Sequence, residues 1–185
     1  MITYVPYTDL APETLESTLD ITAGEVRYVD VSGSDTNYWE MCNENWIRGE
    51  TWGLVEHDII LPIPDRRAGG HMEEMYSCVR QVPPLWCASA YPYFDNTYAG
   101  FGCVVFHEDL MRRFPTLMYE AGEFELYLEH PFRHWCALDL AFSTLVERQG
   151  IRQCLHADVG HVSGRNELSH GCWILEPKAG RERAW

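Results

Sequence analysis

Two carboxylates one residue apart follow an apolar stretch in the first third of the chain. The segment Thr51–Pro62 reads TWGLVEHDIILP, so a run of strand-forming residues leads directly into Glu56 and Asp58. On an extended strand, residues two apart point to the same side, so both carboxylates would converge at the strand end. Oxygen ligands of this kind suit a hard divalent cation that also holds phosphates. The alternative interpretation is an ordinary strand end with two solvated acids.

The elements that must position this pair alternate between strands and helices. The predicted elements are strand 2–6, helix 11–19, strand 26–31, helix 36–48 and strand 51–56. This alternation implies right-handed crossovers and a parallel sheet. Ligands of such sheets bind at the carboxyl ends of the strands. The loops 6–9, 30–35 and 56–58 would converge there.

The rest of the chain continues the same α/β pattern. The further predicted elements are helix 71–80, strands 85–93 and 98–106, helix 107–114, helix 134–149 and strand 151–156. The segment 62–70 is rich in Pro, Gly and Arg and predicts an exposed loop. The acidic segment 120–129 is expected to be irregular. These features predict an α/β fold in one domain over 1–185, with a mostly parallel sheet flanked by helices.

Composition excludes several classes of protein. The chain has 185 residues and a formal net charge of -14, and a surface of this charge repels nucleic acid, which argues against it as a partner. It contains no apolar run long enough for a membrane span. The amino-terminal residues lack the pattern of a signal peptide, so a cytoplasmic location is expected. The seven cysteines include no CxxC pair, which favours buried thiols of a reducing compartment over a zinc site.

Six segments within roughly residues 1–165 carry a family pattern. They are Val5-Pro6-Tyr7, Val29-Asp30-Val31-Ser32-Gly33-Ser34-Asp35, Gly53-Leu54-Val55-Glu56-His57-Asp58, Phe101-Gly102-Cys103-Val104-Val105, His134-Trp135-Cys136-Ala137-Leu138-Asp139 and Gly160-His161. Together they resemble the small nucleotide-sugar-dependent glycosyltransferases of the GT-A fold, family 2 type. The third segment stands where that family has its Asp-x-Asp motif. Proteins of this kind also occur in bacteriophages and bacteria, so either origin would fit.

The resemblance implies a role for each matching residue. Pro6, Tyr7, Asp30 and Glu56 would contact the nucleotide, with Tyr7 stacking on the base. Asp58, assisted by Glu56 and His161, would hold Mn²⁺ or Mg²⁺, and the imidazole would favour Mn²⁺. Asp139 would be the base of an inverting transfer.

The same resemblance implies substrates and a division of the chain. The donor would be a UDP- or GDP-sugar, and the acceptor a protein or a glycan. Residues 1–60 would form the nucleotide-binding half, 61–165 the acceptor and catalytic half, and 166–185 a tail.

Three departures from the family pattern leave other functions open. The metal motif begins with Glu56 instead of Asp, and Asp139 stands without the usual Glu-Asp pair. The chain of 185 residues is also short for the family, so acceptor-binding elements would be minimal or supplied by a partner. One alternative is a metal-dependent hydrolase built on a set of acids and histidines: Glu56, His57, Asp58, His156 and His161. A second is a nucleotide-sugar-binding module of the same fold without turnover.

Overall fold

The computed structural model describes residues 1–19, 21, 24–34, 36–62, 70–81, 86–89, 91–93, 96–98, 100–124, 135–151, 153–156 and 159–161. For 91–93, 96–98, 135–137 and 160–161 the description is limited to the backbone. Most of the loop predicted at 62–70 and the whole tail predicted at 166–185 lie outside the described residues.

The described elements follow the α/β order expected from the sequence. The strands are β1 (Ile2–Tyr7), β2 (Glu25–Asp30), β3 (Trp52–Val55), β4 (Ile59–Ile60), β5 (Trp86–Ser89), β6 (Tyr91–Tyr93), β7 (Asn96–Tyr98), β8 (Cys103–Phe106), β9 (Cys154–His156) and β10 (Gly160–His161). The helices are α1 (Pro12–Leu19), α2 (Asn37–Arg48), α3 (His71–Gln81), α4 (Glu108–Arg113), α5 (Leu117–Gly122) and α6 (Trp135–Arg148). Of the described helices, none is long and apolar enough to cross a bilayer.

The main sheet of the described residues has the strand order β2-β1-β3-β8-β5-β9. The pairs β1–β2, β1–β3 and β5–β9 are parallel, whereas β8 runs antiparallel to both of its neighbours, β3 and β5. Five of these six strands therefore run in one direction, and the expected mostly parallel α/β sheet is confirmed. The carboxyl ends of β1, β2 and β3 lie side by side at one edge of the sheet, which we call the carboxyl edge.

Alternation along each strand sends side chains to two separate cores, one on each face of the sheet. On β8, Val104 and Phe106 belong to the first core, whereas Cys103 and Val105 belong to the second. The first core is rich in aromatic residues: Trp46 of α2 and Phe142 of α6 both pack on Phe106. The second core lies under α1 and α3. The sheet is thus covered on both faces, as parallel sheets are.

Helix α2 shows why these elements form where they do. Its buried side chains recur at three- and four-residue spacing and form one apolar face: Tyr38, Trp39, Met41, Cys42, Asn45 and Trp46. Gly49 ends the helix in the left-handed conformation, with φ 69°, and its N–H donates to the carbonyl of Trp46. The helix therefore has a fixed register over the sheet, which positions Tyr38 above the end of β3.

Several predicted boundaries were wrong. The predicted strands 85–93 and 98–106 are each divided, into β5 and β6 and into β7 and β8. The segment expected to be irregular from residue 120 begins inside helix α5, where Leu117, Met118 and Ala121 are buried in the first core. The two-residue strands β4 and β10 had no sequence signal, because a pair of extended residues carries no periodicity.

Candidate functional site

The carboxyl edge brings the ends of β1 and β2 together. Tyr7 lies opposite Asp30 and Pro6 opposite Val29 in the parallel register. The pairing continues past the strands, because the N–H of Val31 donates to the carbonyl of Tyr7 at 2.9 Å. Pro6 is buried and Tyr7 is partly exposed. Of the predicted nucleotide-contacting residues, Tyr7 and Asp30 are thus neighbours at an accessible edge.

Asp30 is exposed and its carboxylate is held by the turn that follows it. Its Oδ1 accepts a 2.9 Å hydrogen bond from the N–H of Ser32. Hydrogen bonds from the side chain and the backbone of Ser32 lower the pKa of the Asp30 carboxyl below its usual 3.8. Asp30 is therefore ionised near neutral pH and available to accept hydrogen bonds from a ligand.

Glu56 and Asp58 lie on a turn and not on a strand. Strand β3 ends at Val55, and the N–H of Ile59 donates to the carbonyl of Glu56 at 3.1 Å, which closes a four-residue turn. The predicted strand 51–56 was therefore too long at its end. The charge of Asp58 raises the pKa of Glu56, so the turn keeps the two carboxylates within electrostatic range of each other, and strand alternation is not the reason.

Glu56 is held in place from two sides. Its N–H donates to the carbonyl of Gly102 at 2.8 Å, and its Oε1 accepts a 2.6 Å hydrogen bond from the hydroxyl of Tyr38. Burial raises the pKa of the Glu56 carboxyl from 4.5 to about 8, the charges of Asp58 and Asp139 add to the rise, and the hydrogen bond from Tyr38 opposes it. Without a cation, Glu56 is largely protonated at neutral pH.

His57 is buried beside the turn and supports its backbone. Its side chain is 2% exposed, and its Nδ1 accepts a hydrogen bond from the N–H of Thr8 at 3.3 Å. Its carbonyl accepts from the N–H of Ala11 at 3.0 Å. Since Nδ1 accepts, the ring proton is on Nε2, which lies 3.9 Å from Oδ2 of Asp58. His57 thus ties the segment after β1 to the turn after β3.

Asp139 lies on α6 and acts on the same group of acids through its charge. This negative charge raises the pKa of both Glu56 and Tyr38. Its Oδ1 accepts from the N–H of Leu140 at 2.7 Å. Asp139 is the fifth residue of α6, beyond the first turn, where an acid would be favoured by the helix dipole alone. The helix dipole therefore does not explain why an acid occupies this position.

The backbone of His161 passes beside the turn that carries the acids. In the antiparallel pair β4–β10, His161 lies opposite Ile59, the residue that follows Asp58. Residues opposite each other in such a pair have Cα atoms roughly 5 Å apart. The described backbone thus brings His161 next to the predicted metal motif, although its side chain lies outside the described residues.

His156 lies elsewhere. It is on β9, at the far edge of the main sheet, and its Nε2 is 3.2 Å from Oε2 of Glu74. Three strand spacings separate β9 from β3, or roughly 14 Å. The structure therefore does not bring His156 to Glu56 and Asp58, as the hydrolase alternative requires.

Sequence reasoning missed Tyr38 as a residue of this site. Its ring is 1% exposed, and the helical spacing of α2 correctly predicted it as a core residue. Its hydroxyl nevertheless reaches Oε1 of Glu56. A buried tyrosine usually has a partner for its hydroxyl, but the sequence gives no means of choosing which one.

The residues at the carboxyl edge fit a divalent cation. Mutual repulsion between Asp58, Asp139 and Glu56 is one reason that the pKa of Glu56 is raised, and a cation would relieve it. Glu56 and Asp58 supply carboxylate oxygens, and the backbone of His161 is adjacent. Carboxylates suit Mg²⁺ and Mn²⁺, and an imidazole is better tolerated by Mn²⁺.

Comparison with solved structures identifies other proteins that share this architecture. No protein-family model and no curated protein matches the sequence significantly. Among solved structures, the chain is similar to a glycosyltransferase involved in the glycosylation of the major capsid of PBCV-1, with a TM-score of 0.52 at 12% identity over 92% of this chain and 97% of that one. It is also similar to a putative nucleotide-diphospho-sugar transferase from Desulfovibrio desulfuricans G20, with a TM-score of 0.50 at 11% identity over 99% and 90%.

A third similar structure is A197 from STIV, with a TM-score of 0.53 at 9% identity over 85% of this chain and 82% of that one. At such low identities these similarities show the fold and not the activity. The chain has a GT-A-like α/β fold, with a mixed, mostly parallel sheet flanked by helices, as nucleotide-diphospho-sugar transferases have.

Proposed function

We propose that this protein is a metal-dependent glycosyltransferase that moves a sugar from a nucleotide-diphosphate donor to a hydroxyl acceptor. The observation that carries the proposal is a set of acids from separate elements. Asp30, the last residue of β2, lies at the carboxyl edge, as do Glu56 and Asp58 after β3, and the charge of Asp139 on α6 acts on Glu56. Sheets of this type bind their ligands at that edge. The similar structures, a glycosyltransferase and a putative nucleotide-diphospho-sugar transferase, supply the class of substrate.

Each element contributes a different part of the proposed donor site. Tyr7 offers a partly exposed ring for the base, and the ionised carboxylate of Asp30 accepts hydrogen bonds from the base or the ribose. The base is uracil or guanine in this proposal. Pro6 is buried and pairs with Val29, so its contribution is to fix the backbone that carries Tyr7.

Asp58 and Glu56, with His161, would hold Mn²⁺ or Mg²⁺ against the donor's diphosphate. Such a cation stabilises the negative charge of a departing diphosphate. Glu56 must be ionised to act as a ligand, and the hydrogen bond from Tyr38 favours its charged form. His57 holds the turn in place from behind, through Thr8.

Asp139 is the proposed general base of an inverting transfer. An inverting reaction needs a group on the acceptor side to take the hydroxyl proton as the oxygen attacks the sugar. Asp139 comes from α6, a different element from the ones that would hold the donor, yet its charge acts on Glu56. The acceptor in this proposal is a protein or a glycan.

Thermal unfolding with nucleotide diphosphates and nucleotide sugars, each with and without Mn²⁺, tests the proposal. A ligand that binds the native state raises its stability by roughly 2.7 kcal/mol when present at 100 times its Kd. We expect a shift that needs both nucleotide and metal, followed by consumption of the donor in the presence of an acceptor. A shift without donor consumption would indicate a binding module. A shift with metal alone, or none, would contradict the proposal.

A further inference from the structure

A second group of reactive side chains consists of three cysteines on the face of the sheet that forms the second core. Helix α3 turns one face toward β5 and β9, and Cys78 lies on that face. In the parallel pair β5–β9, Cys87 lies directly opposite Cys154. Helix α3 therefore places the thiol of Cys78 beside those of Cys87 and Cys154, which the strand register brings opposite each other.

The three sulfur atoms converge on one point. The Sγ atoms of Cys78, Cys87 and Cys154 all lie within 4.8 Å of one another, and those of Cys78 and Cys154 are 2.8 Å apart. In a tetrahedral zinc site with Zn–S bonds of about 2.3 Å, neighbouring sulfurs are separated by about 3.8 Å. The zinc-site spacing of about 3.8 Å lies between the 2.8 Å separation of the Cys78 and Cys154 sulfurs and the 4.8 Å limit for all three sulfurs. Small side-chain rotations would therefore bring the sulfurs to that spacing.

The cluster also has a route to solvent. Cys87 is fully buried, whereas Cys78 and Cys154 are partly exposed. The buried member anchors the cluster in the second core, and the exposed members leave an open side. A bound ion requires such an entry path, and a fourth ligand, such as water, could occupy that side.

Cys103, another cysteine of the second core, has the contacts of an ordinary buried thiol. Cys103 is also fully buried in the second core, but its Sγ contacts the thioether sulfurs of Met72 and Met75 at 3.7 Å. It does not belong to the three-sulfur cluster. The convergence of Cys78, Cys87 and Cys154 is therefore not a general consequence of cysteine packing in this core.

We propose that Cys78, Cys87 and Cys154 form a three-thiolate binding site for Zn²⁺. On binding, each thiol loses its proton to solvent and its sulfur donates an electron pair to the cation, so no oxidant or reductant is needed. The ion would join α3 to β9, a strand of three residues at the sheet edge that is paired on one side with β5. The proposed zinc site is separate from the proposed donor site.

The test uses the full-length protein purified under a reducing agent and titrated with Co²⁺ and then Zn²⁺. Thiolate-bound Co²⁺ gives a sulfur-to-cobalt charge-transfer band that carboxylate-bound Co²⁺ lacks. We expect one equivalent of Co²⁺ to give this band and Zn²⁺ to remove it. Cys154→Ala and Cys87→Ala should weaken binding by roughly 100-fold or more, since loss of a ligand costs at least as much as loss of its supporting partner.

Two matched variants keep the outcome interpretable. Cys103→Ala removes an equally buried thiol of the same core and should leave the band unchanged. Asp58→Ala removes a proposed ligand of the other site and should also leave it unchanged, so the two proposals fail separately. If Cys87→Ala does not fold, the partly exposed Cys154→Ala still decides the matter.

Three results would overturn the proposal. The first is the absence of a charge-transfer band in the reduced wild-type protein. The second is a band that survives Cys154→Ala. The third is a disulfide between Cys78 and Cys154 that persists in the reducing agent, seen in peptide mass mapping as the loss of two hydrogens, because those sulfurs would then be unable to bind the ion.

Discussion

The hydroxyl of Tyr38 donates a 2.6 Å hydrogen bond to Oε1 of Glu56. This bond joins α2, which packs in the aromatic first core, to the turn after β3, which carries the acids Glu56 and Asp58. It also acts against the burial and the neighbouring charges that raise the pKa of Glu56. The protonation of Glu56, and hence its availability as a metal ligand, depends on this contact.

Replacing Tyr38 with phenylalanine should therefore raise the pKa of Glu56 further. The ring would still fill its place in the core, but the charged form of the carboxylate would lose its donor. We expect a loss of about 1 kcal/mol in unfolding free energy from the missing hydrogen bond. Carboxyl NMR titration of the metal-free protein measures the pKa. Tyr119→Phe, at a ring that is 47% exposed, is the control. An unchanged or lower pKa of Glu56 would contradict the prediction.

The raised pKa of Glu56 should appear as a pH-dependent stability in the metal-free protein. A carboxyl whose pKa is about 8 in the native state and 4.5 when unfolded favours the native state below pH 4.5. That advantage is lost as the pH rises toward 8. We expect a loss on the order of 2 kcal/mol over this range, allowing for the partial exposure of the side chain.

Glu56→Gln should remove this dependence, because glutamine stays neutral throughout. The measurement is chemical denaturation with a chelator at several pH values, comparing the variant with the wild type. Adding Mn²⁺ at pH 7.5 should restore stability to the wild type more than to Glu56→Gln. Parallel pH profiles for the two proteins would show that Glu56 does not titrate in this range.

Asp58 and Asp139 should separate donor binding from transfer. Asp58→Asn should abolish the thermal shift that requires nucleotide and Mn²⁺ together, because it removes a proposed ligand of the cation. Asp139→Asn should retain that shift and lower the rate of transfer by roughly 10²–10⁴-fold, as expected for a general base. Normal transfer by Asp139→Asn would exclude Asp139 as the base.

Asp109→Asn is the matched control for this pair of variants. Asp109 lies in the first turn of α4, after β8, and its carboxylate is 2.9 Å from Arg112. Because β8 runs antiparallel to β3, this helix begins at the opposite edge of the sheet. The control should bind and transfer like the wild type.

Local patterns in the sequence predicted most of the main sheet, and the reason is physical. Apolar runs such as Leu54-Val55 and Val104-Val105 form strands because both faces of the sheet are covered, so no polar alternation obscures them. The spacing of buried residues on α2 likewise predicted its apolar face. Periodicity records burial, and burial defines these elements.

The contacts that define the candidate sites depend on tertiary structure and produce no periodic pattern in the sequence. Cys87 and Cys154 are 67 positions apart in the chain and meet only because β9 pairs with β5 in one register. The expectation that the cysteines are separate core thiols rested on the missing CxxC spacing. The proposed site has its ligands on three different elements, for which no short spacing exists.

His71 should make the protein less stable in mild acid. It is 8% exposed, and its Nε2 lies 2.7 Å from the hydroxyl oxygen of Ser89. Burial and the nearby His156 lower the pKa of His71 from 6.5 to about 4, although the charge of Glu74 opposes the shift. A histidine with a lowered native pKa stabilises the fold above pH 6.5. That contribution, up to roughly 3 kcal/mol, is lost as the pH falls toward 4.

His71→Gln should be less sensitive to acid than the wild type between pH 6.5 and pH 4.5. Thermal unfolding at half-unit pH steps measures the difference in slope. If His71→Gln loses stability in acid as steeply as the wild type does, the source of the acid sensitivity is another group.

Gly122 at the end of α5 should not tolerate a methyl group. A Cβ at this position would overlap the indole nitrogen of Trp39, which donates a 3.1 Å hydrogen bond to the carbonyl of Met118. Gly-to-Ala changes in helices usually stabilise by about 0.5–1 kcal/mol, but here the overlap with a fixed ring is the larger effect. We expect Gly122→Ala to cost about 1–3 kcal/mol, as overpacking does.

The control for that substitution is Gly33→Ala, where an added Cβ meets the side-chain amide of Asn37 at 3.2 Å. Because that amide is the end of a flexible side chain, it can move, and we expect a change within about 0.5 kcal/mol. Trp39→Phe combined with Gly122→Ala provides the decisive comparison. The smaller ring vacates the space of the indole nitrogen, so the double variant should lose less than the sum of the two single variants. Strict additivity would show that Trp39 and Gly122 are not in contact.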